Sequence, residues 1–460
     1  MVLAIGDTLS TKIMWSQWLG GICVTLLTIE VGLLGGWSSP YLAKLTVEDS
    51  PIPLSPEEAS WVASLMNLGR LAGAVLGSVG VEFIGSKTTM LVTCVPVSLC
   101  WILTIIADSV SWLYAARLSG GIGLGMAFSS FPLYLGEIAD PSIRGALVSM
   151  AICGTPAGNV IASLTGANLP MTISSEINLI PCIVLIALLF WIPESPHHLV
   201  LKNDMEEAKK SIRWYHGDGD AEAELTSLAK FVSASQSQTC SQKIKEMTQP
   251  HIRKAMILIV VLFMFMQMCG LNSVIFYMEI ILKRGQAQIM APSTVVNIVG
   301  MFGVLASALS IYLIEKCGRR FLLIASCAGV AASLAALGMH FLFLDQGVDS
   351  ELLDWLPVVS LIVFEFAVFA GLMPVPSTVL SELFPANVKS TAACFGSASS
   401  AIFAFVSSKT YQPMVDALGE HYVFWIYGGI VILAIPYALI YMPETKGKSL
   451  QQIQEDLAKT

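Results

Sequence analysis

Long apolar stretches without a charged side chain dominate the chain. Residues 88–107, 255–278, 285–314, 321–344 and 422–443 contain no Asp, Glu, Lys or Arg. An α-helix rises about 1.5 Å per residue and the hydrocarbon core of a bilayer is about 30 Å thick, so about 20 such residues cross it. The pattern therefore predicts membrane-spanning helices and not the buried helices of a soluble domain.

The same pattern predicts twelve spans joined by polar connections. Their approximate positions are residues 16–36, 59–81, 88–107, 112–133, 145–168, 177–192, 255–279, 293–314, 321–343, 355–380, 390–408 and 422–442. The first apolar run continues into residues 31–41 without a small-residue cleavage site, so we expect the first span to remain in the protein. We therefore predict an all-α membrane protein.

Composition agrees with this prediction. The chain is 55% hydrophobic and 13% charged, and that charged share is about half of what soluble proteins carry. Its ten cysteines are scattered singly without a Cys-x-x-Cys pair, so we expect neither a disulfide framework nor a metal site. The net charge of −8 is less informative, because the side on which Lys and Arg lie decides how a membrane protein is oriented.

The distribution of Lys and Arg predicts that both termini are cytoplasmic. With that orientation, most of the 25 Lys and Arg residues lie in cytoplasmic segments. The outer loops then hold Lys44, Lys283, Arg284 and Lys409. Reversing the chain would invert this bias and contradict the positive-inside rule.

A polar segment separates the first six spans from the last six. It contains a helical pattern from Asp204 to Tyr215, with an acidic residue at the start as helices prefer. We predict three parts: a six-helix bundle at 1–193, a cytoplasmic helical linker at 194–254, and a second six-helix bundle with a cytoplasmic tail at 255–460.

Three short motifs recur on the two sides of the linker. The matching pairs are Glu82-x-x-Gly85 with Glu315-x-x-Gly318, Glu137 and Arg144 with Glu382 and Lys389, and Pro193-Glu194 with Pro443-Glu444. Their order is the same in both halves, which indicates duplication. Two related six-helix halves with a solute held between them near midplane form an alternating-access transporter.

At these motifs the sequence resembles the sugar porter family of the major facilitator superfamily, over nearly the whole chain. The segments that carry the resemblance are Pro132-Leu-Tyr-Leu-Gly-Glu137 with Arg144-Gly145, Pro193-Glu-Ser-Pro196, Gln267-x-x-Gly270-x-Asn272 with Tyr277, Gly318-Arg-Arg320, and Pro443-Glu-Thr-Lys-Gly-x-Ser-Leu450. Within the family, residues 36–40 and 50–61 are similar to those of insect facilitated trehalose and hexose transporters.

The resemblance implies the major facilitator fold and a facilitative uniporter of trehalose or a hexose in the plasma membrane. It implies a small sugar and the lipid bilayer as partners, no nucleic acid, no cofactor and a monomeric state. Because nothing in the chain resembles a nucleophile with its base, we expect no enzymatic activity.

Charged residues at the repeated motifs, together with Arg117 at the start of span four, are candidates for an inner gate. They are Arg117, Glu137, Arg144, Glu315, Arg319, Arg320, Glu382 and Lys389, all expected near cytoplasmic helix ends. Opposite charges there can bridge the halves when the gate is shut and separate when it opens. A hydrated pair contributes up to about 1 kcal/mol, so several pairs together can bias a two-state equilibrium. The alternative is ordinary positive-inside topology with surface ion pairs.

Polar residues within the spans are candidates for sugar binding. Gln267 and Asn272 each offer an amide donor and acceptor, and the resemblance favours sugar binding over interhelical hydrogen bonding. Tyr277 is a candidate to close the outer side, although aromatic residues there also anchor helices at the interface. Ser377 and Ser400 occupy the positions of the Trp in span ten and the Asn in span eleven that sugar porters usually carry.

Other positions also depart from the family pattern. Ile152, Met266, Gly303 and Phe369 stand where sugar porters usually have Gln, Gln, Asn and a carboxylate. A site with fewer polar groups should bind an ordinary hexose weakly or bind something else. Two alternatives to sugar uniport therefore stay open: a sugar sensor that does not transport, and a carrier of another small organic solute, with or without proton coupling.

Three ionisable residues are predicted to lie within spans, where charge is costly and commonly functional. Glu30 and Arg70 have similar depth on adjacent helices, so we predict that they pair. Proton-coupled sugar porters carry an Asp in span one where this chain has Ser38, so the resemblance favours passive uniport. Glu365 keeps proton coupling open.

Two motifs are given structural interpretations. Gly120-Gly-Ile-Gly-Leu-Gly125 lies inside a span without a preceding strand, which favours close helix packing over nucleotide binding. His197 and His198 at the start of the linker are expected to be a solvated surface pair and not a metal site.

Overall fold

The computed structural model describes residues 2–140, 143–217, 221–235, 249–347, 353–384 and 386–446. The regular elements in these ranges are helices alone, and twelve helical segments are long and apolar enough to cross a membrane. The predicted all-α protein with twelve spans is confirmed. Most of the predicted tail, residues 447–460, lies outside the described ranges.

Seven helices form the first six spans, which we call the first half. They are α1 (Val2–Gly36), α2 (Ser38–Leu45), α3 (Pro56–Ile84), α4 (Ser86–Ile105), α5 (Val110–Ile138), α6 (Arg144–Asn168) and α7 (Met171–Trp191), with α1 and α2 sharing span one. The linker contributes α8 (Pro196–Leu201), α9 (Met205–His216) and α10 (Ala221–Ser235). The Asp204 side chain caps α9 by accepting from the backbone N–H of Glu207 at 3.2 Å, which confirms the predicted helix start.

The last six spans form the second half. They are α11 (Pro250–Met268) with α12 (Leu271–Arg284), α13 (Pro292–Cys317), α14 (Arg319–Asp345), α15 (Trp355–Ala367) with a π-helical turn (Val368–Leu372) and α16 (Pro374–Leu383), α17 (Ala386–Leu418) and α18 (Glu420–Tyr441). Span seven breaks at Gly270, whose φ of 81° lies in the left-handed region that favours glycine.

Glycines bring α3 and α5 into backbone contact. A Cβ on Gly121 would lie 2.2 Å from the carbonyl oxygen of Met66, and one on Gly125 would lie 2.3 Å from that of Arg70. Only a residue without a side chain permits this approach, which is how small residues join helices in membranes. The structural interpretation of the glycine-rich segment at 120–125 is confirmed.

The molecule has two ends that differ in how the halves meet. We call the end that carries α8, α9 and α10 the linker face, and the opposite end the far face. Successive spans run in opposite directions, so α3 and α5 begin at the far face and end at the linker face. The halves touch mainly where α3 meets α17, α6 meets α13 and α2 meets α12.

Candidate functional site

Hydrogen bonds join α3 to α17 from the far face to the middle of the molecule, as the rungs of a ladder. The rungs are Ser60 to the carbonyl oxygen of Lys409 (3.3 Å), Asn67 to the hydroxyl of Ser408 (3.1 Å) and Arg70 to the hydroxyl of Ser400 (2.9 Å). Sequence reasoning missed Asn67. The signal was available, because Asn67 lies three residues before Arg70 and so on the same face of the helix.

The deepest rung continues into the predicted binding residues. Gln267 Nε2 donates to the Ser400 hydroxyl at 2.9 Å, and Asn272 Nδ2 donates to Gln267 Oε1 at 2.6 Å. Ser400 and Gln267 are buried, whereas Asn272 and Arg70 are half-buried. One network therefore links a guanidinium of the first half to two amides of the second.

Two other predicted binding residues lie apart from this network. Tyr277 is buried in α12, with its ring centroid 4.9 Å from that of Tyr411 near the far face. Ser377 is exposed on α16, and no described hydrogen bond connects it to Gln267. Their proposed roles in binding stay predictions.

The far face is closed by a contact between α2 and α12 as well. The backbone N–H of Glu279 donates to the Ser39 hydroxyl at 3.1 Å. Nearby, Lys409 of the second half lies 3.9 Å from the ring centroid of Trp61 in the first half. Both contacts cross between the halves at the far face, the end at which the Ser60 rung of the ladder lies.

At the linker face, a glutamate that follows the last span of each half caps a helix that starts there. Glu194 accepts from the backbone N–H groups of Lys87 and Thr88, both at 3.1 Å. Glu444 accepts from those of Arg319 (3.0 Å) and Arg320 (3.1 Å). We call these two carboxylates the backbone clamps. Each places negative charge at the start of a helix, where the helix dipole favours it.

Glycine makes room for each backbone clamp. Gly85 and Gly318 precede the capped helices with φ values of 95° and 87°. A Cβ on Gly318 would lie 2.7 Å from Glu444 Oε2, and one on Gly85 would lie 3.1 Å from Glu194 Cδ. Two of the three motif pairs matched across the linker therefore make equivalent contacts in the two halves, through Gly85 and Gly318 and through Glu194 and Glu444.

The predicted inner-gate residues of the second half also interact within that half. Arg319 Nη2 lies 2.7 Å from Glu382 Oε1, joining the start of α14 to the end of α16. Arg320 donates to the carbonyl oxygen of Leu439, and Glu315 is exposed. The side chain of Lys389, another predicted member, lies outside the described residues.

The first half shows the same preference for internal contacts. Glu137 accepts from the Ser86 hydroxyl at 2.5 Å, and its other oxygen lies 3.7 Å from His197 Nδ1. Arg144 donates to the carbonyl oxygen of Ala139 at 3.0 Å. Among the described ion pairs at the linker face, none joins one half to the other.

A cavity of about 510 Å³ separates the halves toward the linker face. Its walls are Ser149, Met150 and Cys153 of α6 and Ala308, Ile311, Tyr312 and Glu315 of α13. Closer to the far face, the same two helices touch, since a Cβ on Gly300 would lie 2.7 Å from a methyl carbon of Val160. The halves therefore diverge toward the linker face.

The assignment of Arg117 to the inner gate is wrong. Arg117 lies near the start of α5, about 30 Å from Glu137 at 1.5 Å per residue. It is buried, donates to the carbonyl oxygen of Leu34 (2.9 Å) and to the Ser38 hydroxyl, and lies over the Trp37 ring. Because successive spans alternate in direction, Arg117 lies closer to the far face than to the linker face.

The predicted pair of Glu30 and Arg70 does not form. Glu30 accepts from the indole N–H of Trp101 at 3.0 Å, inside the first half. Arg70 instead reaches across to Ser400 and lies 5.5 Å from the ring centroid of Phe128. Similar depth in the membrane did not place the two side chains on facing helix surfaces.

Glu365 is buried between α15 and α13, and its Oε2 makes no hydrogen bond within the described part of the chain. A Cβ on Gly303 would lie 3.2 Å from its Oε1. The carboxyl therefore uses space that the missing side chain at Gly303 leaves free.

The expectation of a solvated histidine pair at the start of the linker is wrong for His198, which is 4% exposed. Its ring lies against Gly85, whose Cβ would be 2.7 Å from Cδ2. Burial lowers the pKa of His198, and the charge of Glu194 opposes that shift. Within the described part of the chain, no group of three or more His, Cys, Asp or Glu side chains is placed to hold a metal ion.

Known proteins resemble the chain along almost its full length. The facilitated trehalose transporter Tret1 of Drosophila pseudoobscura pseudoobscura is 29% identical over 445 residues, covering 96% of this chain. The alignment takes in 51% of that relative, so the chain spans about half of its length. Tret1 of Bombyx mori is 28% identical over 453 residues, covering 98% of this chain and 88% of the relative.

Solved structures share the fold. The proton:xylose symporter XylE bound to 6-bromo-6-deoxy-D-glucose has a TM-score of 0.75 at 21% identity, covering 98% of this chain and 99% of that one. An inward open conformation of XylE from E. coli has a TM-score of 0.76 at 20% identity, covering 97% and 99%. The family model described as sugar (and other) transporter matches residues 35–457. The chain therefore belongs to this family, the sugar porters of the major facilitator superfamily, whose members are transporters and not enzymes.

Proposed function

We propose that the protein carries trehalose or a hexose across a membrane by facilitated, alternating-access transport. The observation that carries the proposal is the network of Arg70, Ser400, Gln267 and Asn272, which ends the ladder of contacts between the halves. An amide side chain offers both hydrogen-bond donors and acceptors, which suits a neutral polyhydroxyl solute. The names of the trehalose-transporting relatives support the same substrate class.

The proposal includes orientation and location. The excess of Lys and Arg on the segments of the linker face supports a cytoplasmic position for that face and for both termini. The arrangement described above is then open toward the cytoplasm and closed outside. We propose the plasma membrane as the location and a monomer as the working unit.

Passive uniport is supported by the surroundings of Arg117. Its guanidinium contacts a hydroxyl, that of Ser38, and a backbone carbonyl, that of Leu34. Ser38 stands where the resemblance to proton-coupled sugar porters leads one to expect an Asp. A hydroxyl does not release a proton in the physiological range, so this pair provides no carboxylate for proton exchange.

Uptake into proteoliposomes tests the proposal. Labelled trehalose and glucose should enter saturably, show counterflow, and leave the pH inside the vesicles unchanged. Gln267→Ala should weaken uptake by about tenfold, because removing one partner of a buried hydrogen bond costs about 1–3 kcal/mol. Sugar binding without counterflow would favour a sensor, and neither binding nor uptake of these sugars would refute the proposed substrates.

Proton-coupled transport is the second candidate, and Glu365 is the observation that favours it. A buried carboxyl without a hydrogen-bond partner for one oxygen can gain and lose a proton during a transport cycle. Uptake driven by an inward proton gradient, abolished by a proton ionophore and by Glu365→Gln, would establish coupling. Uptake that is unaffected by both would exclude it.

A further inference from the structure

We propose that Arg70 forms an anion subsite, and that the preferred solute is a hydroxylated carboxylate of about hexose size. This inference rests on the proposed transport function and shifts the preferred substrate from a neutral sugar to a sugar acid. It starts from the network that joins Arg70 through Ser400 to the amides of Gln267 and Asn272.

Arg70 is a cation within a span that no described carboxylate neutralises. The described ion pairs do not include it, and Glu30, the expected partner, contacts Trp101. An ionisable group inside a membrane normally pairs with an opposite charge or serves a transported solute. A solute that brings its own negative charge supplies the missing partner.

The orientation of the guanidinium leaves hydrogen-bond donors for such a solute. Of its five N–H groups, one is used in the described contacts, by Nη2 toward Ser400. The guanidinium carbon lies 5.5 Å from the ring centroid of Phe128, an interaction with the ring face that leaves in-plane N–H groups free. Such groups match the two oxygens of a carboxylate.

Ser400 fixes the positions of Arg70 and Gln267 relative to each other. Its buried oxygen accepts from Arg70 and from Gln267, both at 2.9 Å, so it fixes the cation and the first amide together. Gln267 in turn accepts from Asn272, which is half-buried and uses one N–H in that contact. The remaining donor and acceptor of Asn272 suit hydroxyl groups on the same solute.

The subsite also accounts for the reduced set of amides. Ile152, Met266 and Gly303 lack the hydrogen-bonding groups that the family resemblance implies for a neutral hexose. A charge-assisted contact to Arg70 is roughly twice as strong as a neutral hydrogen bond and offsets part of that deficit. The anion is therefore favoured over its neutral counterpart.

Competition between two matched sugars tests the inference. D-Glucuronate and D-glucose differ at C6, where one has a carboxylate and the other a hydroxymethyl group. In proteoliposomes, glucuronate should inhibit uptake of labelled glucuronate at a concentration at least tenfold lower than glucose does, because hydrogen bonds to charged groups are the stronger class. Its uptake should increase with an inside-positive potential.

Variants assign this preference to Arg70. The inhibitory concentration of glucose divided by that of glucuronate measures the preference. Arg70→Gln should lower this ratio by about tenfold or more, and Arg70→Lys should restore part of it by keeping the charge. Arg213→Gln, which removes an exposed arginine of α9, is the control and should leave the ratio unchanged. Thermal unfolding checks that each variant is folded.

The possible outcomes separate this inference from the proposed function. Uptake of glucose or trehalose with no preference for glucuronate would overturn the anion subsite and leave sugar transport standing. An unchanged ratio in folded Arg70→Gln would also overturn it. Glucuronate uptake that depends on Arg70, without uptake of either neutral sugar, would support the subsite and refute the neutral substrates.

Discussion

The far face and the linker face hold the molecule together in different ways. At the far face, contacts cross from one half to the other, through neutral groups such as Asn67 and Ser39 and through Lys409 over the ring of Trp61. At the linker face, charged groups such as Glu194 and Glu444 bind within their own half. Each half is thus braced internally at the end where the halves separate, and bound to its partner at the end where they meet.

This difference suits a structure that opens and closes as two bodies. Polar contacts between helices in membranes contribute about 0.6 kcal/mol on average and up to about 1.7 kcal/mol each. The polar contacts described across the far face can therefore be broken at the cost of a few kcal/mol, which is the range of a two-state conformational equilibrium. The contacts inside each half can persist during that change.

Cross-linking the far face should have the largest effect. Ser60→Cys with Lys409→Cys places thiols at the upper rung, and a short bifunctional thiol reagent should abolish transport by preventing the halves from separating there. A reductant should restore transport if the reagent is cleavable. Sugar uptake before and after reduction is the measurement.

A matched pair at the linker face sharpens this test. Ser149→Cys with Tyr312→Cys places thiols on opposite walls of the cavity, so the same reagent should cross-link them more slowly. Single-cysteine variants control for the native cysteines, of which Cys317 is exposed. Faster reaction at the linker face than at the far face would contradict the arrangement described here.

Removing a backbone clamp should weaken the second half. Glu444→Gln keeps one acceptor oxygen but removes charge at the start of α14, so we expect a decrease of about 1–2 kcal/mol in the free energy of unfolding. Glu194→Gln should have a similar effect through α4. Thermal unfolding in detergent measures both decreases, and Glu48→Gln, in the loop between α2 and α3, is the control.

Removing one hydrogen bond between α3 and α17 should moderately shift the equilibrium away from the state that is closed at the far face. Asn67→Ala removes the middle rung between α3 and α17, at a cost of about 1 kcal/mol to the state that is closed at the far face. Labelling of a cysteine introduced at Ser39 should then become several-fold faster. Unchanged labelling would mean that this hydrogen bond does not hold the far face closed.

Acidification should produce the smallest effect. Burial alone would raise the pKa of the Glu444 carboxyl, but the backbone N–H groups of Lys446, Arg319 and Arg320 hold it below the ordinary 4.5. Its stabilising effect is therefore present above pH 4.5 and disappears as pH falls through the lower pKa of the folded state. The difference in Tm between wild type and Glu444→Gln should shrink over that range.

The sequence was sufficient for the architecture because hydropathy and helix length depend on local composition. Twelve spans, the start of α9 and the close packing at Gly121 and Gly125 follow from residues near one another in the chain. Such features need no knowledge of which helix faces which.

The contacts of the candidate site could not be predicted without knowing which helix surfaces face each other. Glu30 and Arg70 lie at similar depth, but rotation about the helix axis turns one toward Trp101 and the other toward Ser400. Arg117 was expected near a cytoplasmic helix end, although its place early in α5 puts it far from Glu137. The burial of His198 depends on Gly85, which is more than one hundred residues away in sequence.

Because the backbone clamps bind main-chain groups, they require few residues of the repeated motifs to be identical in the two halves. Each carboxylate binds main-chain N–H groups, which Lys87 and Thr88 offer as well as Arg319 and Arg320 do. The main-chain contacts of the clamps therefore depend on the glutamate and the preceding glycine, whereas side-chain contacts there differ between the halves: the Thr88 hydroxyl also donates to Glu194, and Arg319 pairs with Glu382. The two halves can therefore keep the same local geometry while sharing few identical residues.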